Sequence, residues 1–78
     1  MLRLIIRGHP AARMRERGVT EDDIRSVLAS PHLTRPADGR GRIFEGVGNS
    51  QVPISVVILE DNLDAGIATV KTVWKREP

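Results

Sequence analysis

The chain has 78 residues with 12 Lys and Arg against 10 Asp and Glu, which holds one small domain and argues against two-domain enzymes and large-cofactor folds. It has no cysteine, so disulfides, thiol nucleophiles and Cys-built zinc sites are excluded, and the expected compartment is the reducing cytoplasm. The longest apolar run is Val56-Val57-Ile58-Leu59, far short of the roughly 20 residues of a membrane span. No membrane partner is expected.

The opening Leu2-Arg3-Leu4-Ile5-Ile6-Arg7 alternates as a short strand with Leu2, Leu4 and Ile6 on one face, and Gly8 breaks it. His9 to Arg17 suits a helix, since Pro10 is tolerated in a first turn and Gly18 is placed as a left-handed stop. Thr20 caps a second helix whose first turn holds Glu21, Asp22 and Asp23. Ile24, Val27 and Leu28 are its buried stripe, and Ser30-Pro31 ends it. His32 to Gly41, rich in Pro, Gly, Arg and Asp, reads as a loop. Three strands follow: Arg42 to Val47, then Val52 to Glu60 with Val52, Ile54, Val56 and Ile58 on one face, then Ile67 to Lys75. In the last, Ala68, Val70, Thr72, Trp74 and Arg76 form the better core face, opposite Ile67, Thr69, Lys71, Val73 and Lys75.

These elements give a β-α-α-β-β-β order, an α+β domain with a mainly antiparallel sheet and two helices packed on one face. The core is drawn from six Leu, seven Ile and eight Val with Phe44, Trp74 and Met14. So small a core makes a partner that adds to it an expected feature, a second copy of the chain included.

Charge is unevenly placed. Residues 1–42 carry nine basic and five acidic side chains, a surplus of four positive charges, while residues 43–78 carry three and five. A basic front half is compatible with a polyanionic ligand. Within it lies His9-x-x-x-Arg13-Met14-x-x-Arg17-Gly18. At about 100° per residue the histidine and two arginines fall within roughly 80° of arc on a helix. Imidazole exchanges protons near neutral pH and guanidinium offers a bidentate fork to phosphate oxygens, so the stripe suits phosphodiester chemistry. A plain solvated helix face has the same pattern.

Other candidates carry less. Arg40-Gly41-Arg42 is either a phosphate-binding loop or the approach to a strand, and Gly46-Val47-Gly48 lacks the ending of a nucleotide cradle. His32 stands alone in a loop. The acids at 21–23 fit a helix start better than a metal site. Thr72, a hydroxyl on an apolar face, either bonds a backbone carbonyl or orients a substrate phosphate, and Lys71 and Lys75 form a basic stripe opposite it. Phe44 and Trp74 both read as core, which argues against sequence-blind coating of single strands. A helix-turn-helix around Gly18-Val19-Thr20 would direct three acids at a phosphate-lined groove.

The run His9-Pro10-Ala11-Ala12-Arg13-Met14-Arg15-Glu16-Arg17-Gly18-Val19-Thr20, with the late strand Thr69-Val70-Lys71-Thr72-Val73-Trp74, resembles a small bacterial family, a domain of unknown function whose members carry a His-x-x-x-Arg-Met-x-x-Arg-Gly helix and a late Thr-Val strand. That family looks like a relative of the BrnT and RelE toxins and of the barnase/RelE-like ribonuclease fold. Arg76-Glu77-Pro78 lacks the tyrosine-rich basic end typical of RelE.

The resemblance implies a RelE-like fold and a metal-independent ribonuclease of a type II toxin–antitoxin system. Its expected catalytic residues are His9 and Arg13, with Arg17, Arg42, Lys71 and Thr72 binding substrate. The expected partners are RNA, including ribosome-associated mRNA, and a cognate antitoxin protein; no cofactor and no metal are expected. The alternative is a non-catalytic RelE-like module that binds an antitoxin-type protein or RNA.

Overall fold

A computed structural model describes residues 2–39 and 41–76. In chain order the elements are β1 (Arg3–Ile5), α1 (His9–Arg17), α2 (Glu21–Ala29), β2 (Leu33–Pro36), β3 (Gly41–Val47), β4 (Pro53–Leu59), a 3-10 turn (Leu63–Ala65) and β5 (Ile67–Lys75). The strands form one sheet in the order β1-β5-β4-β3-β2. β1 runs parallel to β5 and every other pairing is antiparallel. The architecture is therefore the expected α+β one, with two helices against a mixed sheet.

Both helices end as their residues dictate. Gly18 closes α1 in the left-handed region (φ 67, ψ 30), and the Val19 N–H donates to Met14 O at 2.9 Å, a conformation that needs no Cβ. Thr20 opens α2 with a reciprocal box: Asp23 N donates to Thr20 Oγ1 at 3.1 Å, and Thr20 N donates to Asp23 Oδ2 at 2.9 Å. Asp23 also accepts from Ser50 N at 2.8 Å, which ties the helix start to the β3–β4 turn. Gly48 in that turn is required by the same carboxylate, since a Cβ there would sit 2.8 Å from Asp23 Oδ1 and 2.9 Å from its Cβ.

The helices share one face of the sheet. α1 packs on β5 and α2 on β3 and β4, around a core of Val19, Ile24, Val27, Ile54, Val56, Ile58, Ala68, Val70 and Val73, with Leu2, Leu4, Ile6, Met14 and Phe44 packed against it.

Two expectations are corrected. The segment from His32 to Gly41 is not all loop: it contains the edge strand β2, so the order is β-α-α-β-β-β-β. His32 N donates to Glu45 O at 2.8 Å and Ala37 N to Gly41 O at 3.0 Å. All four β2 residues are exposed, so backbone pairing rather than apolar alternation makes this strand. The face assignment of β5 holds for Ala68 and Val70 only. Val57 pairs with Thr72 while Ile58 pairs with Val70, so Lys71 is an extra residue, a β-bulge. One added residue reverses the alternation beyond it. Val73, at 1% exposure, is core, and Thr72 and Trp74 face away from the helices.

Burial pushes the Asp23 carboxyl up, but backbone hydrogen bonds from Thr20 and Ser50, aided by their hydroxyls, outweigh it and hold the group below its ordinary 3.8. Stability from ionised Asp23 is thus complete above about pH 3.8 and is lost as pH falls through the lower, folded-state value. Asp23→Asn is expected to lose about 1–2 kcal/mol at pH 7, with the gap to wild type narrowing below pH 3.8; thermal melts at stepped pH measure both. Deleting Lys71 removes the bulge and places Thr72 directly after Val70, so Val73 stays on the helix side and Thr72 and Trp74 stay on the open face. Retention of cooperative thermal unfolding is the expected outcome. Inserting one residue after Lys75 leaves these faces unchanged, whereas inserting one between Thr72 and Val73 turns Val73 outward and abolishes it.

Candidate functional site

Gly8, at φ 64, turns the chain from β1 into α1. Pro10 is buried in the first turn and Met14 packs on the core, which leaves the adjoining stripe of α1 to His9, Arg13 and Arg17. The helical spacing brings the first two into contact, with Arg13 Nε donating to His9 Nε2 at 3.1 Å in an exposed setting. Arg17 follows one turn later, half-buried. The end of this helix meets β5: the Lys75 ammonium lies 3.7 Å from where a Cβ on Gly18 would stand. An imidazole acceptor beside a guanidinium, followed by two more cations, can take a proton from a nucleophile while a phosphate is held.

The surrounding field is cationic because the ion pairs lie elsewhere. Arg25 pairs with Glu21 at 3.8 Å, Arg42 with Glu60 at 3.1 Å, and both Arg35 and Arg76 with Glu45 at 3.8 and 3.5 Å. These pairs sit on α2, β2, β3, the end of β4 and the end of β5. By contrast, Arg3 and Arg7 around β1, Arg13, Arg15 and Arg17 on α1, and Lys71 and Lys75 on β5 have no carboxylate partner among the described residues. The acid on α1 is Glu16. Of these, Arg13, Arg15, Arg17 and Lys75 lie on α1 and at the end of β5 that meets it, whereas Lys71 opens on the other face of the sheet. Unpaired cations brought close together raise the local positive potential.

The remaining expected site residues do not join His9 and Arg13. Arg42 lies on β3, separated from β5 by β4, so roughly 10 Å of sheet intervenes. Its guanidinium reaches Glu60 Oε1 at 3.1 Å and Thr34 Oγ1 at 3.4 Å. Lys71 and Thr72 line a depression on the sheet face opposite the helices, with Arg35, Ile43, Val57 and Trp74. Gly41 and Arg42 form the start of β3, and Arg40 lies outside the described residues. His32 is exposed, and its backbone N–H rather than its ring makes the contact to Glu45. Among the described residues no three His, Asp or Glu side chains gather as metal ligands, and no helix is long and apolar enough to cross a membrane.

Sequence reasoning missed a polar cluster at the centre of the open sheet face. The Glu45 side chain is 12% exposed, accepts from Ser55 Oγ at 3.4 Å, and lies between the guanidinium groups of Arg35 and Arg76. Residues 35, 45, 55 and 76 have no sequence spacing that connects them; β-pairing alone assembles them. Trp74 was missed for a different reason, since its place on this face depends on the Lys71 bulge.

Fold and site together define a small α+β domain with one helix-covered sheet face, one open face and a cationic border along α1 and β5. The chain matches the domain of unknown function DUF4258 over residues 6–75 and belongs to that family. It matches no curated protein and no solved structure. The cationic border has a direct test on heparin resin. Arg13→Ala and Arg17→Ala are expected to elute at clearly lower salt than wild type, whereas Arg25→Ala, which removes a paired charge, shifts elution little.

Proposed function

We propose that the protein is a toxin-like, metal-independent ribonuclease of a type II toxin–antitoxin system, with a fold related to those of BrnT and RelE. The observation that carries this reading is the contact of Arg13 Nε with His9 Nε2 on an exposed helix, set among cations with no carboxylate partner among the described residues. In the reaction, the Arg13 guanidinium leaves His9 Nε2 for the phosphate, and the freed Nε2 accepts the proton of an RNA 2′-hydroxyl as the hydroxyl oxygen bonds to the adjacent phosphorus. The bond from phosphorus to the 5′-oxygen breaks, and that oxygen takes a proton from the imidazolium. The products are a 2′,3′-cyclic phosphate and a 5′-hydroxyl. Arg13 and Arg17 hold the phosphate and stabilise its developing charge. Arg42, engaged with Glu60, takes part only after leaving that partner. Lys71 and Thr72 contact substrate beyond the scissile phosphate, and a cognate antitoxin covers the active surface.

A second reading is a non-catalytic module of the same fold that binds RNA or an antitoxin-type protein. It is favoured by the open sheet face, where Leu33 on the edge strand is 53% exposed. Incubation of single-stranded RNA in EDTA separates the two. The ribonuclease reading expects cleavage by wild type and a fall of about 10²-fold or more for His9→Ala. Equal cleavage by both proteins, or binding without any cleavage, rejects it.

A further inference from the structure

We propose that the open face of the sheet receives the unpaired bases of single-stranded RNA, with Trp74 as the stacking platform. This rests on the ribonuclease reading and extends it by naming the part of the substrate that this face takes.

The bulge at Lys71 is the starting point. Beyond it the β5 side chains change sides, so Thr72 and Trp74 stand on the face opposite the helices. Thr72 pairs across to Val57 and Val57 to Ile43, and these three residues line a depression of about 430 Å³ together with Trp74. That volume falls within the range of about 300–1,000 Å³ typical of ligand pockets. An indole lining such a depression offers what every base can use, a π surface. The Thr72 hydroxyl supplies a donor and an acceptor for a base edge.

The charges around the depression fit a polyanion. Lys71 is exposed and has no carboxylate partner among the described residues. The Arg35 side chain is 55% exposed and leans toward Glu45. Glu45 is enclosed by Arg35, Arg76 and Ser55, so its negative charge is neutralised where it would otherwise repel phosphate. Arg76 Nε, on the same face, is a buried donor with no hydrogen-bond partner among the described residues. Asp38 is the acid that lines the depression, against Arg35 and Lys71.

Topology joins this face to His9 and Arg13. Among the described residues β1 pairs with β5 only at Ile67, Ala68 and Thr69, so beyond Thr69 none of the described strands lies outside β5, and α1 packs against it. A strand with its bases on Trp74 therefore crosses the width of one β-strand, past Lys71 and Lys75, to reach α1. A protein occupant fits less well. Leu33 is the exposed large hydrophobic among the described residues, whereas protein interfaces are built on contiguous apolar anchors. The edge strand carries Pro36, which has no N–H for an added peptide strand.

Trp74 is the one tryptophan and the chain has no tyrosine, so intrinsic emission reports on this face alone. The full chain is titrated with a single-stranded octanucleotide RNA methylated at its 2′-hydroxyls, which binds but cannot be cleaved. Saturable quenching of Trp74 is expected. Anisotropy of the same RNA carrying a 5′ dye is expected to show affinity about 5- to 100-fold weaker for Trp74→Ala, and weaker binding for Lys71→Ala. Circular dichroism confirms that the variants fold; Trp74→Phe, which keeps a stacking ring, retains most of the affinity. RNA binding with silent Trp74 emission and no loss in Trp74→Ala overturns the proposal and leaves the ribonuclease reading standing. Equal quenching by a duplex of the same sequence also overturns it, because paired bases cannot stack on the indole. Quenching by an apolar peptide and not by RNA assigns the face to a protein. Absence of both RNA binding and RNA cleavage removes this proposal and the ribonuclease reading together.

Discussion

One extra residue in β5 decides which chemistry each face of the sheet carries. Lys71 has no partner in the β4 ladder, so Val70 and Val73, three positions apart, both reach the helix side. Had the strand alternated strictly, Val73 would have faced water and Thr72 and Trp74 would have lain beneath the helices, leaving a hydroxyl and an indole N–H there in need of partners. The bulge instead completes an aliphatic core with Ile54, Val56 and Ile58 and delivers the polar and aromatic groups to the open face. Because β5 also pairs with β1 and carries α1, this slip organises the whole cationic side of the molecule.

Asp23 is the second fixed point. Its two oxygens serve the helix cap and the Ser50 N–H of a turn 27 residues further on, so one side chain sets where α2 begins and where the β3–β4 hairpin lies against it. A similar economy governs the open face. A sheet with helices on only one side must make its other side compatible with water. Here Glu45 achieves this by holding Arg35 from the neighbouring β2 and Arg76 from beyond β5, across β4. Each pair joins a largely enclosed carboxylate to an arginine that is itself 55% or 39% exposed, so water still screens part of the attraction. Their stronger effect is on the field, since pairing these charges on the β2–β3 side leaves unpaired cations concentrated on the α1–β5 side.

The parts of the fold legible in the sequence are those with local causes. The range of α1 follows from Pro10 in its first turn and Gly18 as its stop, and that of α2 from Thr20 and Ser30. The meeting of His9 and Arg13 follows from their spacing of four on a helix. β2 was not legible because none of its four side chains is buried, and a strand held only by backbone pairing leaves no apolar pattern to read. The parallel pairing of β1 with β5 was not legible either, since alternation states which face a residue takes but not which strand lies beside it. In β5, Ile67-Ala68-Thr69-Val70-Lys71-Thr72-Val73-Trp74-Lys75 offers apolar residues in both phases, so the position of the slip depends on its neighbours.

The charge distribution bears on where the proposed activity would reside. A net charge of +2 on 78 residues is too small to draw a polyanion from any direction, and at physiological salt charges more than about 8 Å apart are largely screened from one another. Attraction at this scale has to be local. The fold produces it by subtraction: the carboxylates of Glu21, Glu45 and Glu60 are committed to Arg25, Arg35, Arg42 and Arg76, while α1 contributes a single acid, Glu16, beside three arginines. The imidazole of His9 stands on that same helix, in contact with one of those arginines. Neither the charge nor the histidine would single out a location alone; it is their coincidence on one helix, packed against the strand that also presents Trp74, that motivates the proposed site.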